Sequence, residues 1–145
     1  MQSMTLFNQK LKTSSDTGLN DSDKTFTVPA GKRWIINTIF VELTTTATSG
    51  NRHVVVSVNS ASSADELCEV RVGIAQAASL TRKYLFGTGI SDLTSFRDTT
   101  FLMTPLPAPL EMRAGEVLRV YDNKAKDAAA DDMVVHVRYY EQQDI

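Results

Sequence analysis

The sequence predicts an all-β domain, an antiparallel β-sandwich of jelly-roll or Greek-key type with an extended N-terminal arm. Three observations carry this. From Thr25 onward, short runs of apolar and β-branched residues follow one another with period-two alternation, as in strands half-buried on a sheet. Turn-forming Gly, Pro, Asn and Ser separate them at short spacings. No stretch carries a helical stripe. The one segment of helix-forming composition, Asn123–Asp131, has no apolar face, so it predicts a loop with at most one helical turn.

The first 24 residues read differently from the rest. Met4, Leu6, Phe7 and Leu11 form a small apolar cluster, and Lys12–Lys24 is polar and turn-rich with no period. Residues 1–24 are therefore read as an arm, with a first edge strand followed by a loop as the alternative, and residues 25–145 as the sandwich. Thr25–Val28 is a short strand, and Val28-Pro29-Ala30-Gly31 fits a type I turn. In Arg33–Thr46, strict alternation puts Trp34, Ile36 and Phe40 on one face and Ile35, Ile39, Val41 and Leu43 on the other. Ser49-Gly50-Asn51 then predicts a hairpin into Arg52–Asn59 with its valine row. Leu67–Ile74 points Val70, Val72 and Ile74 inward, and Leu80–Phe86 follows. Leu93–Met103 is expected to be partly extended. Pro105, Pro107 and Pro109 make a stiff connector that cannot be a central strand. Leu110–Met112, Glu116–Tyr121 and Met133–Tyr140 complete the set. Phe26–Ile36 also aligns with Leu110–Val120 about a shared Ala-Gly corner, which predicts that Gly31 and Gly115 occupy corresponding turns of two related halves.

A chain of 145 residues is long enough for one well-formed core. Its net charge of -2, from 15 basic and 17 acidic side chains, lacks the strongly basic face of a nucleic-acid binder. No run reaches the ~18 apolar residues of a membrane span, and the N-terminus lacks a signal-peptide pattern. The expected partners therefore include neither nucleic acid nor membrane. The single cysteine, Cys68, excludes an internal disulfide and is expected as a buried apolar side chain.

Catalytic patterns are missing. His53 and His136 stand opposite the valine rows of their strands, with no spacing that makes a metal site. Gly87-Thr88-Gly89 lacks the ending of a phosphate-binding loop, and no nucleophile elbow is present. Asp122, Asp127, Asp131 and Asp132 crowd one loop without glycine, which predicts a solvated loop or partners for Lys124, Lys126 or a neighbouring chain rather than calcium. The expectation is a protein with no enzymatic activity, cofactor or metal.

Thr27–Ile36 (TVPAGKRWII), Glu42–Arg52, Ala114–Asp122 and Ala128–Met133 resemble small β-sandwich virion proteins of tailed bacteriophages, most closely capsid decoration or cement proteins. The resemblance covers about Thr25–Glu141 and rests on pattern and order. It implies a structural protein of the capsid surface, made in the host cytoplasm and partnered by the major capsid protein or other virion proteins. It also implies self-association, with a trimer favoured. A head-completion or tail-associated protein, or a carbohydrate-binding sandwich, is the alternative. Because only one face of Arg33–Thr46 can meet a core, Ile35, Ile39, Val41 and Leu43, with Phe7 of the arm, are expected at an interface.

Overall fold

The computed structural model describes residues 9–20, 22–62, 65–92, 100–124, 126–127 and 130–144. Among these residues, ten strands form two packed sheets: β1 (Lys10–Asp16), β2 (Lys24–Thr27), β3 (Lys32–Thr44), β4 (Val54–Asn59), β5 (Glu66–Arg71), β6 (Thr81–Gly87), β7 (Phe101–Pro105), β8 (Leu110–Met112), β9 (Val117–Asp122) and β10 (Asp132–Gln143). Sheet A runs β1-β10-β3-β6-β7, with β8 also pairing β3, and sheet B runs β2-β9-β4-β5. All named pairs are antiparallel except β6 with β7. The chain is an all-β sandwich. Residues 10–16 pair along their whole length with β10, so this part of the N-terminal region is the edge strand of sheet A. Phe7 lies outside the described residues.

The long strand β3 departs from simple alternation. On β10, Arg138 pairs with Thr38 and Tyr139 with Ile36, leaving Asn37 as an extra residue. A bulge of this kind reverses side-chain parity. Before it, Trp34 and Ile36 face the core; after it, Ile39, Val41 and Leu43 do, each at 0% exposure. The expected exposed row is thereby corrected: Ile39, Val41 and Leu43 are core residues, while Ile35 and Phe40 share the outer face. Ile39, Val41 and Leu43 share one core cluster with Val54, Val56 and Val58 of β4, Leu118 and Val120 of β9, and Val135 and Val137 of β10. Trp34 stacks on Tyr139, with centroids 4.0 Å apart and planes at 27°.

Two local expectations are also corrected. β3 and β4 do not form a hairpin, because they lie in different sheets and pack across the core through their apolar rows. The first turn is Pro29–Lys32, not Val28–Gly31: the Lys32 N–H donates to the Pro29 carbonyl at 3.2 Å. Gly31 then occupies the third position with φ 73°, as a type II turn requires. Arg113–Glu116 repeats this, with Glu116 N–H to Arg113 carbonyl at 3.0 Å and Gly115 at φ 85°. Both turns carry the chain between sheets, from β2 to β3 and from β8 to β9. They lie against each other, the Gly115 N–H donating to the Val28 carbonyl at 2.9 Å and the Val28 N–H to the Glu116 carbonyl at 3.0 Å. Gly31 and Gly115 thus sit at corresponding corners. Elsewhere Val72 is buried as expected, but Ile74 lies past the end of β5 and is exposed. Pro105 ends an outermost strand of sheet A, where its missing N–H costs nothing.

Candidate functional site

One end of the sandwich is closed by a buried polar network rather than a reactive cluster. Arg52 and Asp131 are both fully buried, joined by Nε to Oδ2 at 2.7 Å and Nη2 to Oδ1 at 3.1 Å. The remaining Arg52 donors reach the carbonyls of Thr48 and Gly50 at 2.8 and 2.7 Å. Hydrogen bonding to the Asp131 carboxylate raises the Arg52 pKa above its ordinary value, against the opposing effect of burial. Asp127 accepts from the Thr46 and Thr48 hydroxyls, which hold its carboxyl below the usual range. Asp122 accepts from the backbone N–H groups of His53 and Lys124. Arg52, which the sequence reading did not single out, is therefore the ionic partner of the acidic loop, replacing the expected Lys124 and Lys126. Gln76 adds a second knot, its amide donating to the Leu43 and Leu80 carbonyls while its oxygen accepts from Tyr84 at 2.6 Å.

The histidines sit apart. His53 is bonded to the Val72 carbonyl, and His136 to the Ser15 hydroxyl at 2.7 Å. Cys68 is half-buried, and burial pushes its thiol pKa up, away from nucleophilic character. Among the described residues, no group of three or more His, Cys, Asp or Glu side chains could hold a metal ion.

The two outer faces treat their apolar side chains in different ways. On sheet B, Val55 points outward yet is fully buried, lying between Tyr121 and Arg71 in the register. Long polar side chains roof this face. The Arg119 guanidinium lies 3.8 Å from the Tyr121 ring centroid and reaches Asp23 at 2.6 Å, while Arg71 pairs with Glu69. The Arg71 hydrogen bond holds Glu69 below its ordinary pKa, whereas desolvation and the nearby Glu69 push Glu66 up.

Sheet A carries a central row of another kind. Ser15, His136, Phe40, Leu85 and Met103 are directly paired across all five strands of the main path. Their chain neighbours Val135, Val137, Ile39, Val41, Tyr84, Phe86 and Leu102 point into the core, so this row faces outward, with Phe40, Leu85 and Met103 half-buried. A second row, Leu11–Tyr140–Ile35, leads from the edge strand to an apolar groove of about 420 Å³. Leu11 is 44% and Tyr140 36% exposed. Of the expected interface residues that are described, Ile35 lies on this surface and Ile39, Val41 and Leu43 do not. Phe40, Leu85 and Met103 were missed because their outward direction depends on the bulge and on strand pairing.

A scan of protein-family models and a search of curated proteins give no match. Among solved structures, the chain is similar to the Drosophila NLP core, whose structure concerns pentamer formation and histone binding. The two share 13% identity over 90% of this chain and 97% of that one, with a TM-score of 0.35. It is also similar to the Tobacco streak virus coat protein dimer, with 10% identity over 96% of this chain and 89% of that one and a TM-score of 0.37. A third similar structure is that of Tomato aspermy virus, with 15% identity over 95% and 79% and a TM-score of 0.35.

Proposed function

We propose that this chain is a structural, non-enzymatic component of a virion, of the kind that decorates or cements the capsid of a tailed phage. The observation that carries a contact role is the outward row Phe40–Leu85–Met103. Its apolar side chains are only partly buried in the middle of a five-strand surface. A contiguous apolar strip on a folded domain is typical of a surface that meets another protein. Closed symmetry covers such a strip without building open fibres, so the partner in this reading includes further copies of the chain. The tailed-phage setting, the capsid surface and the trimer are supported by the sequence resemblance.

Light scattering of the purified protein at micromolar concentration, with sedimentation alongside particles assembled without it, tests both parts. The expected result is a defined oligomer that co-sediments with the particles. The reading fails if the protein is a stable monomer that leaves such particles bare.

A further inference from the structure

We propose that the apolar groove at the Ile35–Tyr140 end of sheet A is the docking site for the chain's own N-terminal segment, with Met4, Leu6 and Phe7 as the side chains that enter it. The inference is independent of the virion reading and concerns a different part of sheet A from the Phe40–Leu85–Met103 row. The groove, about 420 Å³, is lined by Ile35, Ile36, Thr88, Ala108, Pro109 and Tyr140, with Asn37 of the bulge as its polar member. A groove of this composition prefers an apolar occupant, since its lining offers little to hydrogen bond and gains from losing contact with water.

The position and length of the chain identify that occupant. The described chain begins at Gln9, whose side-chain amide lies 3.5 Å from the Gln142 side-chain oxygen at the edge of sheet A. Two residues on, Leu11 pairs with Tyr140, which pairs with Ile35 on the groove wall. Neighbouring strands lie ~4.8 Å apart, so the groove wall is about two strand spacings, roughly 10 Å, from the edge strand. The five residues from Asn8 back to Met4 span up to about 17 Å when extended, enough to cross that distance after turning onto the face. Their sequence, MTLFN, supplies three large apolar side chains and no charge. Tethering gives such a segment an effective concentration in the millimolar range, so weak intrinsic affinity suffices to fill the groove. A segment from a second copy has no such advantage in dilute solution.

The experiment compares the full chain, a truncated chain lacking residues 1–8, and full-length L6D/F7D. Each is followed by chemical labelling of Tyr140 and by binding of an apolar fluorescent dye, with circular dichroism as the control for folding. Truncation leaves all of β1 in place. The expected result is severalfold faster Tyr140 labelling and increased dye binding in both altered chains, with a synthetic peptide of residues 1–8 restoring protection to the truncated one. Protection in the full chain should not change with protein concentration. Equal Tyr140 labelling in full and truncated folded chains overturns the proposal. So does protection that grows with protein concentration, which assigns the groove to a second copy.

Discussion

Arg52 and Asp131 are a liability to the fold if either is lost, because both charges are fully removed from water. Removing one partner leaves the other buried and unpaired, so Asp131→Ala should cost about 3–5 kcal/mol in denaturant unfolding. Replacing both by apolar residues, as in R52M/D131L, should recover much of that loss. At the other end, Glu141 accepts from Lys12 at 2.7 Å and from the Trp34 indole N–H at 2.9 Å. Burial alone would push its pKa up, but these hydrogen bonds and the nearby positive charge leave it below the ordinary value. A carboxylate depressed in the folded state contributes stability above the unfolded value of ~4.3, lost as pH falls through the folded value. Glu141→Gln should therefore melt below the unaltered protein at neutral pH, with the gap closing as pH falls through the depressed folded value. Tyr84 shows the opposite sign. Burial pushes its hydroxyl up to about 12, so the stabilisation is present below the ordinary tyrosine value and fades as pH rises toward that figure. An ultraviolet titration should find a component that ionises near pH 12 and disappears in Tyr84→Phe.

At the scale of elements, the bulge at Asn37 decides which alternate residues of β3 are core. Ile39→Ala or Leu43→Ala should cost about 2–5 kcal/mol, as for other large-to-small changes in a packed core. Phe40→Thr, one residue away and outward, should cost far less, and unfolding midpoints separate the two classes. The paired corners make a second test. Alanine at either glycine must adopt a left-handed conformation, at about 1–2 kcal/mol. At Gly31 the added carbon meets nothing within 4 Å, whereas at Gly115 it comes within 3.0 Å of the Ala61 Cβ. Gly115→Ala should therefore be the more destabilising, measured by the same unfolding curves.

For the whole molecule, the partly buried apolar strip of sheet A predicts where copies meet. The double variant F40T/L85T keeps strand-forming side chains while removing apolar area from the strip. It should shift light-scattering mass toward the monomer with little change in melting temperature. The polar surface of sheet B is the internal control: Arg119→Gln loses a surface pair with Asp23 and should leave the assembly state unchanged.

Local chemistry was enough to make the class of fold legible in the sequence. Alternation and turn residues mark β2, β4, β6, β8, β9 and β10 close to where they lie, and the Ala-Gly corners at Gly31 and Gly115 name their own turns. The described residues of Asn123–Asp131 lie outside every strand and helix, as a segment with no apolar face to hold a helix would. Tertiary structure alone decided which faces those strands present. One inserted residue at Asn37 reverses the parity of everything after it, and period two carries no mark of where a frame shifts. That single step moved Ile39, Val41 and Leu43 into the core and brought Phe40 out beside Ile35. Arg52 was equally invisible: an arginine beside a turn reads as solvent-facing until a carboxylate 79 positions along the chain is folded against it.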